Sequence, residues 1–256
     1  MEPITVKELL AAVQGELRQR GESESIPGVN TDSRAVKAGE LFVPLMGERF
    51  DGHDYIGKAL AAGAAGCLYA REPEALLPGK LYIRVPDTLL ALKSLAAWYR
   101  ARFRLPVIQV TGSVGKTTTK EMIAAVLGAK FRTLKTEGNF NNEIGTPLTL
   151  LRLTREHQAA VIETGMDRAG QIRYLGEMVK PDIAVITNVG DMHIEYLGSR
   201  ENILKAKCEI FENLKQDGLA VLNGDDELLN TVTPPQKMLR CGLSEHCDVR
   251  VSEVED

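Results

Sequence analysis

The second half of the chain alternates short apolar runs with amphipathic segments, and this alternation constrains the fold more than any other feature. Five runs have the composition of buried strands: VIQVTG, AAVIETG, DIAVITNVG, LAVLNGDD and KMLRCG. Segments with helical spacing of apolar residues lie between most of them. Near-continuous apolar strands separated by helices predict a parallel sheet that is covered on both faces. In such sheets ligands bind beyond the carboxyl ends of the strands.

The first part of the chain predicts a smaller α/β domain. Its helix-like segments are TVKELLAAVQGEL and HDYIGKALAAGA, and its short strand-like segments are ELFVPL, GCLYA and LYIRV. We place the end of this domain near Val85, so the predicted domains are residues 1–85 and 86–256. The segment DTLLALKSLAAWYRARF predicts a helix that opens the second domain, with Asp87 or Thr88 as its N-cap.

Charge and cysteine usage exclude several classes of protein. The net charge is −4 over 256 residues, whereas a general nucleic-acid or membrane binder needs a basic surface. The start of the chain lacks the basic-then-apolar order of a signal peptide, and the run ALAAGAAGCLYA is too short to span a bilayer. Four scattered cysteines without a C-x-x-C motif indicate free thiols in a reducing compartment. We therefore expect a cytoplasmic protein that binds neither nucleic acid nor membrane.

The stretch QVTGSVGKTTTKEM predicts a phosphate-binding turn between a strand and a helix. Val110 stands where the general phosphate-loop pattern has its first glycine, so only the shorter form G-x-x-G-K-T fits. Backbone N–H groups from Gly112 to Thr117 can wrap phosphate oxygens at a helix N-terminus. Lys116 would reach the β and γ phosphates, and the Thr117 hydroxyl would bind Mg²⁺. The alternative is a plain turn with a solvated lysine, but the predicted strand and helix on either side favour phosphate binding.

Two further strand ends carry residues that suit a metal site. Glu163 ends the run AAVIETG, and a carboxylate on a neighbouring strand is a usual Mg²⁺ ligand opposite a phosphate loop. His193 follows the run DIAVITNVG at the same predicted edge, although imidazole is an unusual partner for Mg²⁺. The alternatives are a loop acid satisfied by its own turn and an exposed or structural histidine.

Lys207 occupies an unusual position in the predicted helix SRENILKAKCEIFENL. It lies four residues after Ile203, in the middle of the apolar face, whereas we expect Lys205 to lie on a solvated face beside Glu209 and Glu212. Burying an ammonium group is costly unless it is paired or its pKa falls. Lys207 therefore either extends outward to solvent or becomes neutral inside the protein. A neutral lysine close to metal ions could react with CO₂ and become an anionic ligand.

Several separated motifs appear in an order that resembles the Mur ligases, the ATP-dependent enzymes that form amide bonds in peptidoglycan precursor synthesis. The motifs are TDSR, GELFVPLMGERFDGHDY, TGSVGKTTTKEM, TEGNFNNEIGTPLTLL, ETGM, ITNVGDMHIEYLG, KAKCEIF and NGDD. The block GNFNNEIGTPLTLL resembles the branch that adds D-alanyl-D-alanine to UDP-N-acetylmuramoyl-tripeptide. The resemblance implies a UDP-binding α/β domain followed by a P-loop ATPase domain with a parallel sheet, and a role in cell-wall synthesis, cell shape and cell division.

The resemblance also implies a role for individual residues. Asn223 would contact adenine, and Asn142 would lie near the reacting acyl phosphate. Residues of the phosphate turn would bind ATP: Thr111, Gly112, Ser113, Val114, Gly115, Lys116, Thr117 and Thr118. Two Mg²⁺ ions would be held by Thr117, Glu163, His193 and Lys207, the last as a carbamate. The UDP end of the donor would be held in the first domain by Thr31, Asp32, Ser33 and Arg34 and by the loop from Gly47 to His53, which includes Asp51 and Gly52.

TDSR by itself would be interpreted as a simple polar turn, although the planar fork of Arg34 suits a diphosphate.

In the implied reaction, the donor carboxylate attacks the γ-phosphate to give an acyl phosphate and ADP, and the amine of D-alanyl-D-alanine then attacks the carbonyl. Family members carry a third, C-terminal domain, and this chain stops at VSEVED. We therefore expect a monomeric fragment with an incomplete central domain that is inactive alone. The alternatives are a UDP-sugar- or ATP-binding module without turnover, and the sister ligase that adds a diamino acid.

Overall fold

The computed structural model describes residues 1–47 and 50–252, which form two compact units. The first unit comprises Met1–Arg102 and Leu150–Thr154, and the second comprises Phe103–Thr149 and Arg155–Asp256. The helix that we expected to open the second domain therefore groups with the first unit, and the compact units divide after Arg102 rather than near Val85. The functional division at residue 85 stays a prediction. Within the described ranges, no helix is both long enough and apolar enough to cross a membrane.

The first unit is built on a five-stranded sheet with strand order β2-β7-β6-β5-β4. Strands β4 to β7 are parallel to one another, β2 is antiparallel at one edge, and β1 and β3 form a separate antiparallel pair. The strands are β1 Ile4–Thr5, β2 Glu16–Gln19, β3 Ser25–Ile26, β4 Val29–Asn30, β5 Leu41–Phe42, β6 Gly66–Tyr69 and β7 Leu81–Arg84. The helices are α1 Val6–Val13, α2 Ile56–Ala61 and α3 Thr88–Ala101, with a 3₁₀ turn at Gly52–Tyr55.

Helix α1 is shorter than its apolar pattern predicts. The spacing favours one helix through TVKELLAAVQGEL, but α1 ends at Val13 because Gln14 adopts a left-handed conformation, and strand β2 begins at Glu16. Gly15 lies between them, and a Cβ there would overlap the side chain of Ile83. The close approach to the neighbouring strand therefore ends the helix. By contrast, Asp87 is the N-cap of α3 as predicted, since its carboxylate accepts a hydrogen bond from Leu90 N–H at 2.8 Å.

The second unit contains the parallel sheet that the alternating pattern predicts. Its strand order is β14-β13-β12-β11-β8-β10-β9, and every neighbouring pair is parallel. The strands are β8 Val107–Thr111, β9 Thr133–Lys135, β10 Ala159–Glu163, β11 Ile183–Ile186, β12 Leu219–Asn223, β13 Lys237–Gly242 and β14 Val249–Arg250. The helices are α4 Lys116–Gly128, α5 Gly145–Leu150, α6 Gln171–Val179, α7 Ile194–Leu197 and α8 Arg200–Cys208, with 3₁₀ turns at Glu209–Glu212 and Leu229–Thr231.

The order of the central strands brings the loops after β8, β10 and β11 to one edge of the sheet. After β8 the chain forms β9 and β10 on one side of β8, and it then crosses to form β11 on the other side. Such a reversal opens a crevice at the carboxyl ends of the strands. The loops after β8, β10 and β11 therefore meet at one edge, with Glu163 paired in register with Val110 and Ile186 with Thr111. A buried cluster that includes Ile203 and Phe211 packs helix α8 and the following 3₁₀ turn onto the sheet.

Candidate nucleotide and donor sites

The turn after β8 has the geometry of a phosphate loop. Gly115 is the N-cap of α4 in a left-handed conformation, with φ of 78°, which glycine adopts without steric cost. At Gly112 any Cβ would overlap the hydroxyl of Thr187, which immediately follows the neighbouring strand β11. The two glycines are therefore required by the backbone path, and the turn leads directly into the N-terminus of a 13-residue helix.

Part of this turn is braced by the protein itself. The side-chain oxygen of Asn188 accepts hydrogen bonds from the backbone N–H of Ser113 at 3.1 Å and of Val114 at 2.9 Å. These two amides thus have a protein partner in the structure, and their binding to phosphate stays a prediction. Helix geometry leaves the first-turn amides of Lys116, Thr117 and Thr118 without intrahelical partners, so these are the donors for an anion.

Other residues of the turn differ in exposure. Thr111 and Ser113 are buried, and the Ser113 hydroxyl accepts a hydrogen bond from the Gly190 N–H at 2.9 Å. Val114 and Thr118 are exposed. Thr111 and Ser113 thus support the turn from inside.

Lys116 folds back over its own loop. Its ammonium group donates to the carbonyl oxygens of Gly112 at 2.9 Å and Ser113 at 3.2 Å. Burial lowers the pKa of Lys116, and the negative charge of Glu163 acts in the opposite direction. The side chain is half-buried, so a phosphate could replace the carbonyl oxygens as its partner at little steric cost.

Glu163 is the centre of a hydrogen-bonded cluster below the turn. Its side chain is 2% exposed, and its two oxygens accept from the Thr117 hydroxyl at 3.0 Å and from the Asn141 amide at 2.8 Å. Lys120 lies 3.8 Å from Oε2. The sequence analysis missed Asn141 and Lys120, because an asparagine in a polar loop and a lysine in a helix carry no signal of their own.

The donor set around Glu163 suits Mg²⁺. The Thr117 hydroxyl and the Glu163 carboxylate are hard oxygen ligands, and they lie 3.0 Å apart, close enough to bind one ion together. Within the described part of the chain, no three His, Cys, Asp or Glu side chains cluster as a metal site. Mg²⁺ usually takes one or two protein ligands and completes its shell with phosphates and water.

A cavity of about 720 Å³ lies beside the turn and brings several of the predicted residues together. Five of the residues named from the sequence line it: Gly112, Lys116, Asn142, His193 and Lys207. The opposite wall comes from the loop after β10 and the start of α6, including Asp167, Arg168 and Tyr174. This volume is in the range of sites for nucleotide-sized ligands.

Lys207 is buried, which is one of the two outcomes that its position on the apolar face of α8 left open. It is 2% exposed, and its pKa falls to about 8 because of burial and the nearby positive charge of Lys116. No hydrogen-bond acceptor contacts its ammonium group among the residues that the structure describes. Lys205 on the same helix is exposed, as predicted. Glu209 is not, and our expectation of a solvated Glu209 is wrong: its carboxylate accepts from the N–H groups of Gly170 at 2.7 Å and Arg173 at 3.1 Å.

Asn142 and His193 both line the cavity, and they are notable for a side-chain contact and a backbone conformation, respectively. The Asn142 side-chain oxygen accepts from the N–H groups of Ile144 at 3.1 Å and Gly145 at 2.8 Å, so this asparagine organises the start of α5. His193 has a left-handed backbone with φ of 67°, which is uncommon for a residue other than glycine, and it immediately precedes α7. Such local strain often accompanies a functional position.

Asn223 lies at a separate, mostly apolar cavity of about 460 Å³ in the same unit. Its amide group donates to the Thr187 carbonyl at 3.0 Å, and the Thr187 hydroxyl in turn donates to the Val114 carbonyl at 2.7 Å. A chain of hydrogen bonds therefore connects Asn223 to the phosphate turn. The apolar walls, which include Ile123, Leu127 and Val221, could accommodate an aromatic ring.

The first unit has its own cavity of about 380 Å³, lined by the TDSR segment and by Gly52. Arg34 and Asp32 form a two-point ion pair at 2.9 and 2.8 Å, and the hydrogen bonds from Arg34 lower the pKa of Asp32 to about 2. The Arg34 side chain is 78% exposed, so its guanidinium group can also bind an anionic ligand. The sequence analysis missed Tyr55 and Lys58 on the walls of this cavity, because both lie on a predicted helix surface.

Three predicted residues of the first unit have other contacts. Among the described residues, Gly47, Asp51 and His53 do not line the cavity. Asp51 accepts from the His53 N–H at 2.9 Å, and His53 is 7% exposed and accepts from the Ala70 N–H at 3.0 Å. Glu48 and Arg49, which belong to the same predicted loop, lie outside the described residues.

The fold and the turn define a class: the second unit is an α/β protein with a phosphate loop at the edge of a parallel sheet. The chain belongs to the Mur ligase family. The family's middle domain matches residues 110–256, and its catalytic domain matches residues 25–100.

The relatives narrow this assignment. The chain is 45% identical over 251 residues to the UDP-N-acetylmuramoyl-tripeptide--D-alanyl-D-alanine ligase of Bacillus subtilis, covering 98% of this chain and 55% of the relative. A crystal structure of MurF from Acinetobacter baumannii superposes with a TM-score of 0.93 at 36% identity, covering 100% of this chain and 56% of that one. MurF from Thermotoga maritima, solved with ADP, gives a TM-score of 0.79 at 36% identity, covering 86% and 51%. The chain thus spans about half the length of the relatives that it matches.

Proposed function

We propose that the chain is part of an ATP-dependent ligase that adds D-alanyl-D-alanine to UDP-N-acetylmuramoyl-tripeptide through an acyl phosphate. The observation that carries the proposal is the single cavity lined by Lys116 and Lys207 and backed by the Thr117–Glu163 pair. The relatives' printed names supply the reaction, and the ADP in the Thermotoga structure supports a nucleotide ligand. Synthesis of peptidoglycan precursors, with its consequences for cell shape and division, is the role that this reaction implies.

In this proposal the protein acts by positioning and by electrostatics. The first-turn amides of α4 hold the nucleotide's phosphates, and Lys116 leaves its two loop carbonyls to bind the phosphate that is transferred. Thr117 and Glu163 would hold a Mg²⁺ ion, and His193 with Lys207 as a carbamate would hold a second. Ions held by these residues would supply positive charge where the donor carboxylate and the phosphate come together. Asn142 keeps the start of α5 at the cavity wall, close to the place of the acyl phosphate.

The remaining substrate groups are assigned to the other two cavities. Asn223 and its apolar surroundings would receive the adenine ring. The cavity of the first unit would receive the UDP end of the donor, with Arg34 and Lys58 beside the diphosphate and Tyr55 against an apolar face. Asp51 and His53 would act by holding the backbone of the adjoining turn. We also propose that the protein works in the cytoplasm as a monomer.

The phosphate turn is tested by Lys116→Ala. Loss of one charge-assisted contact costs about 1.5–3 kcal/mol, so we expect the Kd for Mg·ADP to rise by roughly ten- to a hundredfold. Isothermal titration calorimetry measures this, and the melting temperature shows that the variant stays folded. Lys130→Ala, just beyond the other end of α4, is the control and should bind like the wild type. Wild-type affinity in Lys116→Ala would contradict the assignment.

A further inference from the structure

One interior position of helix α4 is occupied by a lysine. Lys120 is 0% exposed, whereas the apolar residues Met122 and Val126 on the same helix are 65% and 76% exposed. A helix that packs on a sheet normally does the reverse, because the face toward the sheet is apolar. Burial of an ammonium group is costly unless its partners compensate. A purely structural helix would therefore gain by placing a leucine or methionine here, and the lysine calls for another explanation.

Lys120 lies between two carboxylates, those of Glu121 and Glu163. Its Nζ donates to the Thr136 carbonyl at 2.8 Å and lies 2.9 Å from Glu121 Oε1 and 3.8 Å from Glu163 Oε2. Thr136 also contacts Glu163 directly, since its hydroxyl accepts from the Glu163 N–H at 3.0 Å. Glu121 is 44% exposed and is shared with Lys135 at the surface, so it leaves part of the Lys120 charge uncompensated.

We propose that Lys120 is a positioning residue that supplies a built-in countercharge for Glu163 and so makes metal binding depend on the nucleotide. With Lys120 and Thr117 both beside its Oε2 atom, the Glu163 carboxylate attracts a divalent cation only weakly. Phosphate oxygens bring the additional negative charge that the cation requires. The metal would then enter and leave together with the nucleotide. This inference rests on the proposed function, because it takes Thr117 and Glu163 as metal ligands.

Lys120 and Glu163 are close enough for their charges to interact strongly. Two unit charges about 4 Å apart interact more strongly in a protein environment of intermediate dielectric constant than in water. The Lys120–Glu163 pair is almost fully removed from water, with side chains 0% and 2% exposed, so solvent screens it little. Thr117 and Lys120 approach the same oxygen of Glu163, Oε2, so a cation held between Thr117 and Glu163 is repelled by the ammonium group of Lys120. Removing the ammonium should therefore strengthen the binding of a metal ion alone.

The test uses Mn²⁺ as the probe, without nucleotide, on the full 256-residue chain. Lys120→Met keeps the length of the side chain and removes its charge. We expect its Mn²⁺ affinity, measured from the electron paramagnetic resonance signal of the free ion, to exceed that of the wild type by at least about tenfold. A residue that only filled space would not change metal affinity in this direction. Equal Mn²⁺ affinity in folded Lys120→Met would overturn the inference.

Lys135→Met is the matched control. Lys135 also pairs with Glu121, but its side chain is 43% exposed and it has no ion pair with Glu163 in the described structure. Its removal should leave the Mn²⁺ affinity within about twofold of the wild type, as expected for an exposed pair. A gain in Lys135→Met as large as in Lys120→Met would show a general charge effect and would also overturn the inference.

If Lys120→Met does not fold, the variant Glu121→Gln provides a second test. Glu121→Gln removes the competing carboxylate from Lys120, so the ammonium acts more fully on Glu163. The Mg²⁺ concentration needed for half-maximal ADP binding should then rise about two- to threefold, in line with one partly exposed charge. An unchanged or lower Mg²⁺ requirement overturns the inference. Absence of Mg²⁺-dependent ADP binding in the wild-type chain would instead reject the proposed function and this inference with it.

Discussion

At the scale of single residues, Lys207 combines burial with a lowered pKa. It lies on the apolar face of α8, and its side chain is 2% exposed. The sequence left two outcomes open, a side chain that reaches solvent or one that becomes neutral. Burial and the charge of Lys116 lower its pKa to about 8, which favours the second.

Lys207 should form a carbamate in a pH-dependent way. With a pKa of about 8, the amine is largely neutral above that pH, whereas an ordinary lysine with a pKa of about 10.4 stays charged. In ¹³C-labelled bicarbonate we expect a carbamate resonance that grows between about pH 7 and 9. The signal should be absent in Lys207→Ala and unchanged in Lys205→Ala, whose lysine is exposed on the same helix. A signal that persists in Lys207→Ala would assign the carbamate elsewhere.

The neighbouring asparagines show the limit of residue-level prediction. The motif NFNNE offered both Asn141 and Asn142, and the resemblance selected Asn142. In the structure Asn142 caps α5, whereas Asn141 donates to Glu163 at 2.8 Å. Adjacent side chains of the same type are separated only by the path of the loop backbone, and local composition does not specify that path.

At the scale of elements, helix α6 is stabilised at its N-terminus by a residue that follows it in the chain. Gly170, its N-cap, has no side chain to accept from the first-turn amides. The carboxylate of Glu209 takes that place by binding the N–H groups of Gly170 and Arg173. A negative charge at a helix N-terminus is also favoured by the helix dipole.

Glu209→Ala should therefore destabilise the second unit. The partly buried amides lose a charged acceptor, and we expect a loss of about 2 kcal/mol in the free energy of unfolding. Glu212→Ala is the control, because Glu212 lies in the same 3₁₀ turn and pairs with Arg173 at 2.9 Å, but at the surface. Such an exposed pair contributes at most about 1 kcal/mol. Urea unfolding of both variants measures the difference, and equal losses would contradict the capping role of Glu209.

At the scale of the whole molecule, the two compact units each carry a cavity with a different chemical character. The cavity of the first unit presents Arg34 and Lys58, and the larger cavity of the second presents the phosphate turn. The relatives act on a donor that contains UDP, by their printed name, and one of them was solved with ADP. We therefore expect UDP and ADP to bind this chain at separate sites.

Each nucleotide should stabilise the chain through its own site. A ligand at about a hundred times its Kd adds about 2.7 kcal/mol of stability, which corresponds to several degrees in melting temperature. We expect Arg34→Ala to remove most of the shift caused by UDP and to leave the shift caused by Mg·ADP unchanged. Lys116→Ala should do the opposite. Differential scanning fluorimetry of both variants with both ligands gives the comparison, and a single variant that abolishes both shifts would disprove separate sites.

The sequence by itself determined the architecture of the second unit and the position of its phosphate turn. Apolar runs of strand length, separated by helices, allow few arrangements other than a covered parallel sheet, and G-x-x-G-K-T after such a run marks the turn. Spacing alone also placed Lys207 on the apolar face of its helix. These features depend on local periodicity, which the sequence records directly.

Tertiary structure decided the rest. The end of α1 depends on the approach of Gly15 to Ile83, and the brace of the turn depends on Asn188 in the loop after β11. The burial of Glu209 and Lys120 depends on partners many residues away, at Gly170 and Glu163. No local pattern records such contacts, because the free energy that retains a buried charge comes from groups that only the folded chain brings together.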